Sequence, residues 1–384
     1  MVVAPPARVG TPEQAVIVGA GPAGDAVAAG LRDAGFEGRV VLVGGEPEAP
    51  YERPHLSKGY LLGTVTRERL PLRPAAQYRE RGIDLVLGRR VVDLGVERRR
   101  VELQGGETIP WDRLCIATGS EARRLPGFDG AIYLRELPEA DRLRQRIARG
   151  EPLSIIGAGF IGCEVASVAR QRGCEVHVYE PLEQPMLRVL GAEAGAYLAD
   201  LHRTHGVDLH LGIRSIPPVG ENPLVAVGSA PRVPGGLEVD ELGRTSDDGV
   251  WGAGDVTRFY HPLFERHIRV EHFQTSQRHG YAVGRAMAGA GEPYREVPWF
   301  WSDQYDLNLQ YIGAGLPWDE IVTRGEFGRP PFTVFYLSGG ELVGAAGFND
   351  HHTVARARRV METRRSVSVQ QLVDQTFDLR RALA

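Results

Sequence analysis

The sequence predicts an α/β protein built from two similar strand–turn–helix–strand units and a third domain of mixed α+β structure. Three observations predict this class. The glycine-rich stretch VIVGAGPAG at 16–24 recurs as IIGAGFIGCE at 155–164. Each copy lies between a short apolar run and a pattern typical of a helix. After the second unit, two apolar runs joined by Ser-Gly-Gly at 338–340 indicate a β-hairpin.

The first unit begins with QAVIVG, which reads as a buried strand, and continues with GAGPAG as a tight turn. The stretch DAVAAGLRDAG predicts a helix that ends at Gly35, and RVVLVGGE predicts a second strand that ends at Glu46. An acid about 20 residues after the last glycine completes the fingerprint of a Rossmann-like dinucleotide-binding unit. Gly19 allows the turn, Gly21 lets the backbone approach a pyrophosphate, and Gly24 lets helix and strand pack closely. The acid would bind ribose hydroxyls.

The second unit repeats this plan with LSIIGAG, FIGCEVASVARQRG and EVHVYE. Gly157, Gly159 and Gly162 have the three glycine roles, and Glu180 is the acid. One such motif is weak evidence, but two in full context predict two dinucleotide sites. A carboxylate repels the 2′-phosphate of NADPH, and Pro181-Leu182 supplies no arginine to bind it, so the second site favours NADH over NADPH.

Segments outside the two units suggest how the chain is divided. The stretch 98–120 predicts a β-hairpin followed by a strand, and GVWGAGDV at 249–256 predicts another short strand. Its Asp255 could bind a ribityl chain or could be a solvated turn residue. The predicted divisions are a disordered tail at 1–13, a first domain at 14–122 and 241–295, a second at 123–240, and an α+β domain at 296–384.

Composition excludes several classes of protein. The net charge is −4 and the pI about 6.3, which does not favour binding to nucleic acid or an anionic membrane. The N-terminal stretch lacks the apolar run of a signal peptide or anchor. Cys115, Cys163 and Cys174 form no C-x-x-C pair and cannot supply four thiolate ligands, so we expect no metal site and buried thiols. The cytoplasm is the simplest location.

Three further motifs carry a resemblance to a known family. They are PYERPHLSKGYL, which begins at Pro50, VEHFQTSQRHG at 270–280, and PWFWSDQYDLNLQYIG at 298–313. With the two glycine-rich units, these motifs resemble the bacterial FAD-dependent ferredoxin reductases that serve cytochrome P450 and aromatic-ring dioxygenase systems. The resemblance extends from about residue 14 to the C-terminus. It implies a three-layer flavoprotein fold with FAD on the first unit and NADH on the second.

The resemblance also implies a set of FAD contacts. These are Gly19, Gly21, Gly24, Glu46, Arg53, Lys58, Thr118, Gly119, Arg135, Asp255, Glu271, His272 and Phe273. Lys58 would lie near the flavin ring, Arg135 at the adenine end, and Asp255 at the ribityl chain. Residues 271–273 would begin a helix whose positive end faces the flavin pyrimidine, which gains negative charge on reduction. Phe273 replaces the tryptophan usual in the family.

The implied NAD contacts are Gly157, Gly159, Phe160, Gly162, Glu164, Glu180 and Gly228, and the implied catalytic residues are Lys58, Glu164 and Trp301. In the family, the glutamate that matches Glu164 pairs with the lysine beside flavin N5. The alternative is a simple charge at a helix N-terminus. Phe160 would cover the flavin face or be a core residue, and Trp301 would lie near both rings.

No cysteine occurs at Ser57-Lys58, where related thiol-dependent reductases carry one. Electrons must therefore leave the flavin directly. The predicted function is NADH:ferredoxin oxidoreductase, in which hydride passes to FAD N5 and single electrons pass to a [2Fe–2S] ferredoxin that feeds a P450 or ring-hydroxylating oxygenase. One alternative is an NADH oxidase or small-molecule reductase on the same scaffold. The other is a redox-responsive binding module without turnover.

Two regions depart from a simple prediction. The segment 207–240 is shorter than the family pattern, which indicates either a trimmed NAD domain or residues absent from the sequence. A predicted helix near the C-terminus carries an arginine run that could dock an acidic ferredoxin or form a solvated face. The run consists of Arg356, Arg358, Arg359, Arg364 and Arg365. We expect a monomer or a homodimer.

Overall fold

The computed structural model describes residues 13–216 and 224–383. Apart from Glu13, the predicted tail at 1–13 lies outside the described residues. Two parallel sheets and one antiparallel sheet form the framework of this part of the chain. Among these residues, no helix is long and apolar enough to cross a membrane.

The first region contains the first glycine-rich turn between a fully buried strand and a helix that has Pro22 at its start. Its strands are β1 (Gln14–Val18), β2 (Arg39–Val43), β3 (Ile83–Val86), β4 (Val91–Asp93), β5 (Arg100–Leu103), β6 (Thr108–Pro110), β7 (Arg113–Ile116) and β8 (Ser120–Ala122). Its helices are α1 (Pro22–Asp33), α2 (Gly59–Leu62) and α3 (Ala75–Glu80). The predicted hairpin is confirmed as β5 and β6, which pair antiparallel.

The second region repeats the arrangement. Its strands are β9 (Ile132–Tyr133), β10 (Leu153–Ile156), β11 (Val176–Glu180), β12 (Asp208–Leu211), β13 (Leu224–Ala226), β14 (Ser229–Pro231) and β15 (Leu237–Val239). Its helices are α4 (Leu137–Ala148), α5 (Phe160–Gln171) and α6 (Leu187–Thr204). The parallel sheet has the order β12-β11-β10-β13-β9. Part of the segment predicted to be shortened, 217–223, lies outside the described residues, and the described part has no strand between β12 and β13.

The chain then returns to the first sheet. It forms β16 (Val250–Gly252), β17 (Thr257–His261), β18 (Arg266–Ile268) and α7 (Phe273–Met287). Strand β16 pairs with β7, which gives the parallel order β16-β7-β1-β2-β3. Helix α7 packs against α1 so closely that a Cβ atom on Gly284 would lie 2.2 Å from the carbonyl oxygen of Val27. This return supports the proposed assignment of 241–295 to the first domain.

The C-terminal region is an antiparallel sheet covered by helices. It contains β19 (Trp299–Gln304), β20 (Leu307–Gly313), β21 (Glu320–Arg324), β22 (Phe332–Ser338), β23 (Glu341–Phe348), α8 (His351–Glu362) and α9 (Val369–Val373). The predicted hairpin at Ser-Gly-Gly is confirmed as β22 and β23. Asp350 caps α8, since its carboxylate accepts a hydrogen bond from the backbone N–H of Thr353.

The largest apolar core joins all three regions. It combines Tyr51 and Leu56 of the first region with Ile155 of the second and with Phe332 and Phe348 of the C-terminal sheet. Because packed interiors resist displacement, this core fixes the three regions against one another. The predicted fold class is confirmed, and the division at 122/123, 240/241 and 295/296 stays a proposal that this arrangement supports.

Candidate functional site

The two glycine-rich loops have the same backbone geometry. Gly19 and Gly157 have φ values of 118° and 102°, which L side chains rarely adopt. A Cβ atom on Gly24 would lie 1.9 Å from the oxygen of Gly19, and one on Gly162 would lie 2.0 Å from the oxygen of Gly157. Each loop therefore requires glycine where the strand crosses the start of the helix.

Both loops open onto one cleft with a volume of about 1320 Å³. This volume exceeds the range of ~300–1,000 Å³ usual for one small-molecule site. Every residue that the sequence analysis assigned to the two cofactors or to catalysis lines the cleft, with the exception of Gly24, which is buried under its loop. The cleft is therefore shared by residues of all three regions.

An ion pair lies where the three regions meet. Lys58 follows the short 3-10 helix Arg53–Ser57, and its ammonium lies 2.8 Å from the carboxylate oxygen Oε1 of Glu164. Glu164 is the fifth residue of α5, in its second turn, and is only 2% exposed. A charge so deeply buried needs a partner, and Lys58 provides one. The pairing inferred from the resemblance is present, so Glu164 is more than a simple charge at a helix N-terminus.

Sequence analysis missed two other partners of this carboxylate. The hydroxyl of Ser57 donates to Oε2 of Glu164, and the hydroxyl of Ser302 donates to Oε1 at 2.7 Å. Ser302 is adjacent to the predicted Trp301 in the sequence. Strand alternation indicates that the two side chains point to opposite faces of β19, but nothing in the sequence places Ser302 beside α5.

The acid of the first unit is held by neighbours. Both oxygens of Glu46 are used, because Arg53 pairs with Oε1 and the hydroxyl of Tyr51 donates to Oε2 at 2.6 Å. The guanidinium of Arg53 also donates to the carbonyl of Arg135 at 2.9 Å. A carboxylate has about four acceptor positions, so Glu46 retains capacity for ribose hydroxyls.

Asp255 lies in a hydrogen-bonded group and is not a solvated turn residue. Its oxygen Oδ1 accepts from the hydroxyl of Ser276, and Oδ2 accepts from Ser120 at 3.2 Å. The guanidinium of Arg135 lies 3.4 Å from the same oxygen. Burial lowers the pKa of Arg135, and the charge of Asp255 opposes this shift. The side chain of Arg135 therefore points to the predicted ribityl position, whereas the resemblance implied the adenine end.

The start of α7 forms another wall of the cleft. His272 is the residue before its first turn, and its Nδ1 is buried without a hydrogen-bond partner in the described part of the chain. Burial by the surrounding protein lowers the pKa of His272 to about 3, and the half-buried residue lines the cleft. Phe300, which sequence analysis did not select, lies between Phe160 and His272 with both ring centroids 4.4 Å away. The ammonium of Lys58 lies 5.8 Å from the ring centre of Trp301.

The acid of the second unit also supports its own loop. Glu180 accepts from the backbone N–H of Ala158 at 2.7 Å through Oε2 and from that of Leu182 at 3.0 Å through Oε1. These bonds fix the carboxylate at the end of β11 beside the glycine-rich turn. It is therefore positioned as the fingerprint predicts.

The cysteines are free and buried. Burial raises the pKa of Cys163, and the nearby Glu164 and Glu180 add to this effect. Burial also raises the pKa of Cys115 and Cys174. A thiol with a raised pKa is a poor nucleophile, so these three residues do not form a reactive thiol at the cleft.

Comparison with known proteins identifies the family. The sequence profile of the pyridine nucleotide-disulphide oxidoreductases matches residues 13–215, and the profile of the reductase C-terminal domain matches 299–383. The chain belongs to the pyridine nucleotide-disulphide oxidoreductase family. Its relatives include the ferredoxin–NAD(+) reductase component of an anthranilate 1,2-dioxygenase system from Burkholderia cepacia, which is 37% identical over 95% of this chain and 98% of the relative. Rhodocoxin reductase from Rhodococcus erythropolis is 35% identical over 96% and 94%.

Solved structures agree with this assignment. The chain is similar to putidaredoxin reductase in its covalent complex with putidaredoxin, with a TM-score of 0.91, 30% identity, and coverage of 97% of this chain and 98% of that one. It is equally similar to the ferredoxin reductase for the CYP199A2 system from Rhodopseudomonas palustris, with a TM-score of 0.91, 33% identity, and coverage of 97% and 100%. The resemblance to ferredoxin reductases is confirmed.

One group of possible metal ligands lies outside the cleft. The ligand atoms of His177, Asp208 and His210 lie within 4.8 Å of one another. His177 and His210 each approach the same carboxylate oxygen of Asp208, at 3.0 and 3.1 Å. Sequence analysis did not select this group, since its members come together only when β11 pairs with β12. None of the three lines the cleft.

The arginine run of α8 is extensively paired within the chain. Arg358 lies 2.9 Å from both Glu296 and Glu362, and Arg359 lies 3.3 Å from Glu362. Arg364 lies 2.8 Å from Glu265. Arg356 approaches Asp378 at 4.0 Å, whereas Arg365 is exposed. The run therefore carries less net positive charge than the sequence suggests.

Proposed function

We propose that the protein is an NADH:ferredoxin oxidoreductase that uses FAD and supplies single electrons to a [2Fe–2S] ferredoxin of a P450 or ring-hydroxylating oxygenase system. The observation that carries this function is the single cleft that contains both dinucleotide loops with the Lys58–Glu164 pair between them. The curated relatives are named as ferredoxin reductases, which agrees with it.

The residues of the first region fit FAD. Above Gly21 the space is open, since a Cβ atom there would meet nothing within 4 Å, and the free N–H groups at the start of α1 favour a pyrophosphate. Glu46 would bind the adenosine ribose, and Asp255 would bind the ribityl chain. The orphaned Nδ1 of His272 is available to the cofactor at the start of α7. The pocket would be completed by five further residues that line the cleft, namely Thr118, Gly119, Arg135, Glu271 and Phe273.

When bound, FAD supplies a ring that accepts a hydride from NADH and returns electrons one at a time. The chain supplies placement and electrostatics around that ring. Lys58 would lie at the ring edge, and Glu164 neutralises and orients its ammonium. The positive end of α7 favours negative charge at the opposite edge. Phe160 and Trp301 line the cleft and would exclude water from the reacting face.

The second loop would hold NADH. Its backbone above Gly159 is as open as that above Gly21. Glu180 would bind the ribose of NADH and repel the 2′-phosphate of NADPH. Gly228 also lines the cleft and would contact the nicotinamide nucleotide. The second sheet has five parallel strands despite the short segment at 207–240, which supports a working site.

The decisive experiment is an anaerobic titration of the yellow holoenzyme, first with NADH and then with NADPH, in which bleaching of the flavin absorbance is followed. We expect rapid bleaching by NADH at low excess and much weaker bleaching by NADPH. Cytochrome c reduction should then depend on added [2Fe–2S] ferredoxin. Turnover with oxygen alone that no ferredoxin increases would indicate an oxidase. A flavin that dithionite reduces but neither nucleotide bleaches would contradict the reductase function.

Three finer points remain predictions. The exposed part of the arginine run on α8, Arg359 and Arg365, would contribute to ferredoxin docking, because surface ion pairs are weak and a partner's carboxylates can compete for them. The protein would be a monomer or a homodimer. A cytoplasmic location is in keeping with three free thiols.

A further inference from the structure

Behind Glu164 lies a continuous row of buried polar side chains. The hydroxyl of Ser302 donates to Glu164 at 2.7 Å, and the amide nitrogen of Gln304 donates to that hydroxyl at 3.1 Å. The amide oxygen of Gln304 lies 3.0 Å from Nε2 of His202, whose Nδ1 lies 3.2 Å from the hydroxyl of Tyr305. Ser302, Gln304 and His202 are completely buried. We call these four residues, Ser302, Gln304, His202 and Tyr305, the polar row.

The chemistry of each group gives the polar row a direction. An ionised carboxylate only accepts, so the proton of Ser302 points to Glu164. The oxygen of the Gln304 amide also only accepts, so Nε2 of His202 carries the proton and its Nδ1 accepts from Tyr305. Every proton in the row is thus directed toward Glu164. Burial lowers the pKa of His202 to about 4, which keeps the ring neutral at pH 7.

The polar row crosses a boundary between regions. Glu164 and His202 belong to α5 and α6 of the second region, whereas Ser302, Gln304 and Tyr305 belong to the hairpin of β19 and β20. A core of apolar side chains would join these elements without the cost of burying polar groups. The polar groups can stabilise the charged carboxylate at one end of the row, because aligned hydrogen bonds strengthen one another in a low-dielectric interior.

We propose that Ser302, Gln304 and His202 are positioning residues that act through Glu164. Their aligned donors stabilise its carboxylate and hold Oε1 toward Lys58, so that the ammonium is presented to the cleft in one orientation. Ser302 and Lys58 share this oxygen, with separations of 2.7 and 2.8 Å. The inference rests on the proposed function, because it assigns the row's effect to flavin reduction by NADH.

The test compares two fully buried histidines in the holoenzyme. His202→Phe breaks the polar row and keeps the ring shape. His261→Phe is the matched control, since His261 is also completely buried, has its pKa lowered to about 4 by burial, and bonds to the carbonyl of Glu296 at 3.1 Å outside the row. Stopped-flow bleaching gives the maximal rate of flavin reduction and the NADH concentration at half-saturation, and thermal melts give stability.

We expect both variants to melt earlier than the parent. Only His202→Phe should lower the maximal bleaching rate, by about tenfold, with an unchanged half-saturating NADH concentration. Gln304→Met should behave in the same way. His202→Gln, which restores a donor toward Gln304, should recover most of the rate.

Two results would overturn the inference. One is a folded, FAD-loaded His202→Phe protein that bleaches at the parental rate. The other is an equal loss of rate in His261→Phe, since this would reduce the row to a general structural role. Neither result resembles failure of the proposed function, in which the parent itself would not be bleached by NADH.

Discussion

Glu164 illustrates how much of the site is decided by single contacts. Its two oxygens are shared among an ammonium and two hydroxyls, which come from Lys58, Ser57 and Ser302. The carboxylate lies in the second turn of α5, where these three donors surround it. Its charge and its position are therefore fixed together.

We expect Glu164→Gln to slow flavin reduction by NADH at least tenfold. The amide preserves shape, but its NH2 group cannot accept a hydrogen bond and the side chain cannot neutralise the partly buried ammonium of Lys58. Stopped-flow absorbance measures the rate. Glu175→Gln is the control, because Glu175 immediately precedes β11, is largely exposed and lies outside the cleft. A parental rate in Glu164→Gln would remove the ion pair from the mechanism.

Glu180 is the residue that we propose selects NADH over NADPH. We expect Glu180→Gln to lower KM for NADPH and to raise KM for NADH, because the amide does not repel a 2′-phosphate and binds ribose hydroxyls less well. Steady-state ferredoxin reduction measures both constants. Glu183→Gln, a change of the same type in the same loop but outside the cleft, should leave the preference unaltered. An unchanged NADPH constant in Glu180→Gln would contradict this role.

At the scale of the elements, helices α1 and α7 pack with their backbones close together, because glycines of α7 face α1. A Cβ atom on Gly284 would lie 2.2 Å from the carbonyl of Val27, and one on Gly280 would lie 2.5 Å from that of Ala23. Backbone atoms cannot yield as a flexible side chain can. The close approach positions both the loop after β1 and the start of α7 at the cleft.

Gly284→Ala should therefore lower the free energy of unfolding by about 1–3 kcal/mol, the range typical of overpacking. Chemical denaturation followed by circular dichroism measures the loss. Gly130→Ala serves as the control, because a Cβ atom there would meet nothing within 4 Å and its φ is not in the left-handed region. Equal stability of the two variants would show that α1 and α7 can separate without cost.

At the scale of the whole molecule, three buried histidines and the half-buried His272 contribute to the loss of stability in acid. Burial lowers the pKa of His202 and His261 to about 4 and that of His272 and His279 to about 3, all from 6.5. Between about pH 6.5 and the folded values, the unfolded chain binds protons that the folded chain does not. Stability is therefore complete above about pH 6.5 and falls as the pH falls toward 4.

We expect the melting temperature to decrease steadily between pH 7 and pH 4.5. His279→Phe should lower it at pH 7 and make it less sensitive to pH, because one proton-binding group of the unfolded chain is removed. The exposed His351→Phe should leave the pH dependence as it is. A His279→Phe slope equal to that of the parent would contradict the assignment.

The docking of ferredoxin is also a property of the whole surface. Reversing the charge at Arg359 and Arg365 should raise KM for ferredoxin several-fold at low salt, with the difference reduced at high salt by screening. Arg98→Glu, an exposed change outside α8, is the control. NADH-dependent bleaching should be unaffected in all variants. A ferredoxin KM independent of these charges would place the docking surface elsewhere.

The sequence by itself determined what repeats or has a fixed local spacing. Short apolar runs and glycine spacing specify β1, α1, β10 and α5, because the turn geometry of each loop tolerates only glycine at the crossing positions. The Ser-Gly-Gly hairpin and the family resemblance were likewise readable from short stretches. Lys58 and Glu164 were paired only through that resemblance.

Tertiary structure decided the contacts between residues far apart in the chain. Ser57 and Ser302 join Glu164, Gln304 joins His202, and the guanidinium of Arg135 joins Asp255. No local sequence pattern predicts these contacts, since each depends on how separate sheets pack around one core. The pairing of the α8 arginines with carboxylates has the same origin. Periodicity specifies an element and its buried face, whereas packing decides which side chains that face meets.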